Sequence, residues 1–366
     1  MAPICIEHLV LSGGGLLGIS YIGLIKYFEE NNKLLNLKTI TGCSAGAMFA
    51  SLIAIGYNSA QLDTIVKTMI FKDYLTINVD SILNFINTKG FETGKKLNIF
   101  IKKYIKDKTG NENITFAQIQ EKYNINLQIG VTNLTKSTFE LFNADTYPDI
   151  PIEKAISASI AIPFIFEPVI IGDDVYCDGG LLDNLPVENV INMYNNEYNE
   201  HNKNIVVKEK HIEEKEHIEE KEHIEEKEHI AEKEHIAEKE HISEKEHISE
   251  KEHISEKEHI SEKKEDKNKN LSILGFYLIN KSHIMNKDTY KLISLSQYIS
   301  VITQTISKSI INKKKQLENT NKNYKIITIE IPCDIMTFIK LNATHDDINN
   351  IIDIAYNITK NELKNN

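Results

Sequence analysis

Gly42-Cys43-Ser44-Ala45-Gly46 sets a serine between two glycines at the spacing G-x-S-x-G. Such a serine can attack a carbonyl carbon if it rides on a sharp strand-to-helix turn. That turn needs small neighbours on both sides, because a Cβ at either flank would collide with the adjoining strand or helix. Upstream lies Gly13-Gly14-Gly15-Leu16-Leu17-Gly18, a run able to turn backbone N–H groups toward an anion, as an oxyanion hole must. Downstream, Asp178-Gly179-Gly180 puts a carboxylate at the end of an extended stretch, from which it can reach a serine on a neighbouring strand. Taken singly, each has a plainer reading: a tight turn before a buried helix for the pentapeptide, an Asp-Gly turn for the carboxylate.

The elements that must carry these residues follow from hydrophobic period. Ile6 to Leu11 reads as a buried strand, and Gly18 to Glu30, apolar at Ile19, Ile22, Leu24, Ile25 and Phe28, as a helix packed on a sheet. A second strand at Leu37 to Thr41 leads into Ser44, and Ala45 to Ile55 is apolar on nearly every side, as in a helix buried beneath others. Two strand-turn-helix units in succession predict an α/β fold with parallel pairing at its centre. Further helices are predicted at Gln61 to Ile70, Thr93 to Lys106 with Thr93 as N-cap, Phe116 to Tyr123, Ile152 to Ile160 and Pro186 to Tyr194. Asn126 to Leu134 and Thr138 to Phe142 read as a strand pair, and Val169 to Cys177 as one extended stretch. Late in the chain, Leu271 to Ile279 and Tyr324 to Ile331 read as strands, Tyr290 to Ile311 as a long helix, and Thr344 as the cap of a last one.

The chain has 366 residues, 41% of them hydrophobic and 8% aromatic, enough for one large core or two modest ones. Between Glu209 and Lys267 stand 23 acidic residues and 12 lysines, a net of 11 negative charges that equals the formal charge of the whole chain. The rest, with 30 acids and 30 lysines, is neutral, so the charge gives no support to nucleic-acid binding. No arginine occurs, and anion recognition must therefore use lysine or backbone N–H groups. The charged stretch is a hexapeptide repeat, K-E-H-I-[EAS]-E, with nine histidines from His211 to His259. Six residues advance a helix by about 600°, so no continuous apolar stripe forms and a coiled coil is not predicted. A solvated helix or a disordered loop is expected, and metal binding by histidines that do not share a face is not. Cys5, Cys43, Cys177 and Cys333 lack C-x-x-C spacing, which predicts neither a zinc site nor a disulfide framework and suits an intracellular, reducing compartment. Met1 to Val10 lacks the pattern of a secretory signal, and no apolar run reaches the length of a membrane span; Pro163 and Pro168 break the nearest candidate, Ile156 to Ile171.

The three motifs, with Ala158-Ser159-Ile160-Ala161-Ile162-Pro163 between the second and third, closely resemble those of the patatin-like phospholipases, in that family's order from Ile6 to about Asn192. The resemblance implies a three-layer α/β/α fold with a central, largely parallel sheet. On this reading 1–198 is the first part of the catalytic core, 199–269 an insert, and 270–366 the remainder of the α/β domain with C-terminal helices. It implies a serine-aspartate dyad, with Ser44 as nucleophile and Asp178 as proton acceptor. Gly13, Gly14 and Gly15 would form the oxyanion hole, and Gly18, Gly42, Gly46, Gly179 and Gly180 would give steric support. No metal or cofactor is implied, and the substrates would be phospholipid or other acyl-lipid esters met at a membrane surface. Family members often carry a basic residue after the three glycines and another before the Ala-Ser-x-Ala-x-Pro stretch, where this sequence has Leu16-Leu17 and Ser157.

Three rivals make different demands. Gly13-x-Gly15-x-x-Gly18 also fits a dinucleotide fingerprint, but the second strand runs into Thr41-Gly42-Cys43-Ser44 without the acid that would bind a ribose. A conventional triad would need a histidine after the acid, and His283 and His345 are the candidates. A catalytically inactive lipid-binding or interaction scaffold of the same fold is the third, and the intact serine, aspartate and glycines weigh against it.

Overall fold

The structure, a computed structural model, describes residues 6–69, 74, 79–193, 195–196, 273–280, 295–318, 324–331 and 344–364. The histidine repeat, both boundaries of the expected insert, His283 and Cys333 lie outside these residues. What is described up to Ile191, and again after Lys269, belongs to one compact unit.

Its centre is a mixed sheet in which five strands run parallel: β1 (His8–Leu11), β2 (Thr39–Cys43), β4 (Asn126–Asn133), β9 (Ile273–Asn280) and β10 (Tyr324–Ile331). The order across the sheet is β10-β9-β1-β2-β4, continued antiparallel by β8 (Asp174–Asp178) and β7 (Val169–Ile171), with β5 (Thr138–Phe142) antiparallel on β4. Side chains alternate between two faces. Leu9, Leu11, Leu274, Phe276, Ile327 and Ile329 enter one core, with α1 (Ser20–Glu30), α2 (Ala45–Ala54) and the last helix, α9 (His345–Lys364). Val10, Ile273, Tyr277, Tyr324 and Ile326 enter the other, with Ile311 of the long helix α8 (Leu295–Glu318) and with Leu185, Val187 and Val190. Strand residues one apart thus face opposite helix layers, and the fold is a three-layer α/β/α sandwich of the expected kind.

The register of β4 decides where the predicted site residues meet. Ile129 and Gly130 pair with Gly42 and Cys43 of β2 on one side and with Phe142 and Leu141 of β5 on the other. Val131 to Asn133 pair again with β5, so β8, which also pairs with these three residues, lies on the edge that β2 has just left. The C-terminal ends of β2 and β8 therefore meet head-on along one edge of β4. Cys43 faces Gly130 and Asp178 faces Val131, which brings Ser44, the next residue after β2, against the last residue of β8.

Several elements differ from the sequence reading. Val169 to Cys177 is two antiparallel strands with a turn at Gly172, whose φ is +62°, because the alternation continues across a two-residue reversal. The N-cap of α5 (Lys95–Thr109) is Gly94 in the left-handed region and not Thr93; the Thr93 hydroxyl only accepts a long contact from the Lys95 N–H. A 3-10 turn over Gly15–Ile19 precedes α1. Helix α4 (Val79–Thr88) and a two-stranded ribbon of β3 (Gly90–Glu92) and β6 (Phe164–Phe166) had not been predicted. By contrast, α3 (Ser59–Lys67), α6 (Phe116–Tyr123) and α7 (Ile152–Ser159) occupy their predicted places to within a few residues. The start predicted for α8 at Tyr290 lies outside the described residues. No helix among the described residues is long and apolar enough to cross a membrane.

Candidate active site

Ser44 sits between the end of β2 and the first turn of α2 with φ 52° and ψ −123°, a conformation that costs a non-glycine residue about 1–3 kcal/mol. Neighbouring groups hold it there. Its N–H donates to the Ser159 hydroxyl at 2.8 Å, which in turn donates to the carbonyl of Gly130 at 2.7 Å, while its own carbonyl accepts the Ala47 N–H at 2.9 Å. Ser159 ends α7, so a third element locks the turn. The flanking glycines are sterically required. A Cβ on Gly42 would stand 2.3 Å from the carbonyl oxygen of Gly46, and one on Gly46 would stand 2.2 Å from that of Leu11, because α2 crosses directly over the ends of β1 and β2.

The Ser44 hydroxyl donates to Asp178 Oδ2 at 2.6 Å, and Oδ1 accepts the Gly180 N–H at 2.7 Å. The backbone of Asp178 is fixed as well: its N–H donates to the Ala161 carbonyl at 2.9 Å and its carbonyl accepts from Thr132 Oγ1 at 3.0 Å. Both side chains are buried. Burial pushes the carboxyl up to about 6, against the hydrogen bonds from Ser44 and Gly180, which pull it down. The group is therefore a stronger base than an exposed aspartate, yet still ionised at neutral pH. Gly179 and Gly180 allow this approach, since a Cβ on Gly179 would meet the Gly130 carbonyl at 2.4 Å and one on Gly180 would meet Asn184 Oδ1 at 2.7 Å.

The glycine run lies across from this pair, and a Cβ on Gly13 would stand 2.8 Å from that of Ser44. Gly13, expected to donate to an oxyanion, instead donates its N–H to Asn184, at 3.1 Å to the side-chain oxygen and 3.3 Å to the carbonyl. Asn184 Nδ2 returns a hydrogen bond to the Gly13 carbonyl at 3.1 Å. Neither Gly14, with φ −176°, nor Gly15, with φ +55°, donates its N–H to any described residue. Ser12 and Tyr21 fix the approach to the loop: the Tyr21 hydroxyl donates to the Ser12 carbonyl at 2.7 Å, and the Ser12 hydroxyl to the Gly13 carbonyl at 3.0 Å. Gly18 lets the following turn abut α2, where a Cβ would come within 2.9 Å of that of Ala45. The N-terminal end of α2 adds its dipole beside Ser44.

Asn184 and Lys314 are positions that sequence reasoning missed, as it missed the part Ser159 plays within its motif. Lys314, on α8 and buried, donates to both oxygens of Asp183 and to the carbonyl of Leu185, each at 2.7 Å, and so pins the loop that carries Asn184. The only signal for it is a lysine three residues after the buried Ile311, on the inward face of a helix. Both thiols next to this pair are held protonated: burial, then the Asp178 and Asp183 charges, hold Cys43 well above its usual range, and burial, then Asp178, pushes Cys177 up to about 12. His345, a candidate for a conventional triad, opens α9 with Nε2 3.4 Å from the Lys67 carbonyl at the end of α3, and it makes no contact with Ser44 or Asp178.

A family model described as patatin-like phospholipase matches residues 9–191. The chain is similar to an uncharacterized protein of Acanthamoeba polyphaga mimivirus, 37% identical over 190 residues that cover 50% of this chain and 60% of that one. It is also similar to a probable lipid hydrolase of Invertebrate iridescent virus 6, 27% identical over 197 residues that cover 53% of this chain and 67% of that one. The matches thus span about two thirds or less of these relatives' own lengths. Among solved structures, VipD from Legionella pneumophila aligns over 98% of this chain and 67% of its own, with 18% identity and a TM-score of 0.45.

Proposed function

The chain belongs to the patatin-like phospholipase family, and from that premise we propose that it is a lipid acyl hydrolase of phospholipase A or lysophospholipase type working through Ser44 and Asp178. The observation that carries this reading is the 2.6 Å hydrogen bond from the Ser44 hydroxyl to a buried carboxylate, on a turn strained in the manner of a nucleophile elbow. Ser44 Oγ attacks the ester carbonyl carbon as its proton passes to Asp178 Oδ2. The carbonyl oxygen, now negative, takes hydrogen bonds from the N–H groups of Gly14 and Gly15, with the N-terminal dipole of α2 beside it. Collapse breaks the ester C–O bond, and the leaving alkoxide takes the proton from Asp178, which leaves Ser44 acylated. Asp178 then accepts a proton from water, the hydroxide attacks the acyl carbon, and Ser44 regains its proton as the fatty acid departs. Asp178 needs no histidine to orient it, because Gly180, Ala161 and Thr132 fix it on three sides.

The test is fluorophosphonate labelling of the full chain with peptide mapping, alongside fatty-acid release from phosphatidylcholine and lysophosphatidylcholine. Labelling at Ser44, with turnover abolished in Ser44→Ala, is the expected result. Equal turnover in Ser44→Ala, or a label on another residue, overturns the assignment.

A further inference from the structure

The segment that leaves the site carries an unusual surface. Ala161, whose carbonyl fixes Asp178, is followed after two residues by Phe164, with φ +69° and 54% exposed. A bulky aromatic residue in the left-handed region is strained, and this one also leaves half of its surface in solvent. It does not stand alone. Phe164 packs 6.3 Å from Phe85, which stacks at 4.6 Å on Phe91 of the β3–β6 ribbon, and the next residue of α4, Ile86, is 76% exposed. Beyond the ribbon, α5 begins directly after Gly94 and packs its Leu97 against the cluster of Ala161, Ile165 and Phe166. Ile99, on its outward side, is again exposed.

Charge separates this apolar rim from an ordinary surface. Helix α5 carries Lys95, Lys96, Lys102, Lys103, Lys106 and Lys108 against Asp107 alone. Lys102 is paired with Glu153 and Lys106 with Glu112, whereas Lys95, Lys96 and Lys103 are exposed and form no salt bridge with a described residue. Lys96, Ile99 and Lys103 stand three and four residues apart, on one face. Outside the histidine repeat, acids and lysines balance over the whole chain, so this concentration of lysine is local. Exposed apolar side chains on elements adjoining a helix with exposed lysines outside any salt bridge suit the interface of a bilayer with anionic headgroups: the apolar tips enter the acyl boundary and the ammonium groups stay at the phosphates.

We infer that α4, the β3–β6 ribbon and the outward face of α5 form the surface by which the protein docks on anionic phospholipid bilayers, Phe164 and Ile86 inserting and Lys95, Lys96 and Lys103 holding the headgroups. The inference rests on the reading of the site as an acyl-lipid hydrolase, since it supplies that site with its substrate phase. The two are tested apart. Docking is measured with full-length Ser44→Ala by co-sedimentation with vesicles of phosphatidylcholine and of phosphatidylcholine containing phosphatidylserine. Chemistry is measured on a dispersed, short-chain ester with no vesicle present. Ser44→Ala is expected to partition onto the anionic vesicles and far less onto the zwitterionic ones. Adding Lys95→Gln and Lys96→Gln lowers that partition about thirtyfold, at about 1 kcal/mol per basic residue. Ile86→Ser with Phe164→Gly lowers it at least tenfold on both vesicles, and the glycine relaxes the backbone at 164, so loss of fold is not the cause. Lys308→Gln with Lys313→Gln, the same charge change on α8, leaves it within twofold. Equal partition onto both vesicle types, no partition at all, or an equal loss in the α8 pair overturns the proposal. In the variants that keep Ser44, an unchanged rate on the dispersed ester locates any loss in docking.

Discussion

The proposed mechanism asks two conflicting things of Asp178: it must be ionised to act as the base, and burial favours its protonated form. With its carboxyl pushed up to about 6 by desolvation, kcat/KM on a dispersed ester is expected to rise about tenfold per pH unit below that value and to level off above it. A pH–rate profile flat from pH 4 upward would exclude Asp178 as the base. The same shift bears on stability with the opposite sign to that of a salt-bridged acid. The folded state binds the proton more tightly than the unfolded chain, so the stabilisation from that proton is fully present below about pH 4 and is lost as pH rises through about 6, a loss of about 3 kcal/mol by neutral pH. Asp178→Asn, neutral and isosteric, is therefore expected to abolish turnover while making the protein more stable to urea at pH 8, with the gain shrinking toward pH 4. Asn184 belongs to the same scale, because its amide satisfies both polar groups of Gly13. Asn184→Ala is expected to lower kcat about 10–100-fold, the equivalent of one or two lost hydrogen bonds around the glycine loop. It should slow fluorophosphonate labelling of Ser44 by a similar factor, whereas a purely structural role would lower the yield of folded protein and leave the labelling rate of the folded fraction unchanged.

At the scale of elements, the Ser44–Asp178 contact results from two strands sharing one edge of β4, and its distance depends on register more than on loop conformation. This is why glycines fall where they do: Gly42, Gly46 and Gly179 each face a backbone carbonyl that a Cβ would strike. The tie from α8 is of another kind. Lys314 brings a cation from the far side of the sheet to Asp183, and removing it leaves a largely buried carboxylate without its partner. Lys314→Met is expected to destabilise the fold by about 3–5 kcal/mol, and Asp183→Asn in the same chain to recover much of that, as urea titrations of the two variants would reveal. Equal stabilities for the single and double variants would mean that the pair contributes packing alone. These elements were unequally legible in the sequence. The two strand-turn-helix units, the buried α2 and the order of motifs follow from period and spacing, because each is a local pattern repeated over many residues. The β3–β6 ribbon is three residues on each side, joined across more than seventy positions of sequence, and a pairing so short has no period to detect. Asn184 and Lys314 act through contacts between residues far apart in the chain, and no spacing marks them, while the motif that holds Ser159 marks its position and not its hydrogen bond to Ser44, 115 residues away. Gly13 shows the same limit from the other side: its type and position suit an oxyanion donor, but the side chain that takes its N–H is 171 residues away.

For the whole molecule, net charge and local charge point in opposite directions. The formal charge of −11 equals that of the segment from Glu209 to Lys267, while α5 presents an excess of lysine near the site. The folded body closes without that segment: Leu185, Val187 and Val190, before it, pack on Ile273 and Tyr277, after it, in a single core. Replacing 199–269 by a short glycine-serine linker is therefore expected to leave kcat on a dispersed ester within about twofold, since that core is built from residues on either side of the segment. Vesicle binding should respond differently. If the acidic segment governs approach to an anionic bilayer, added salt screens a repulsion and binding of the full chain strengthens. If the lysines of α5 govern, salt screens an attraction and binding weakens, steeply between 0.1 M and 1 M as the screening length falls from about 10 Å to about 3 Å. The proposed docking surface predicts the second outcome for the full chain, and tighter binding at low salt for the linker variant, because deleting the repeat removes repulsion without touching α5. Sedimentation of both proteins with phosphatidylserine vesicles across that range separates the two cases. A full chain whose binding rises with salt would mean that the net charge, and not the basic helix, sets how the molecule meets a membrane.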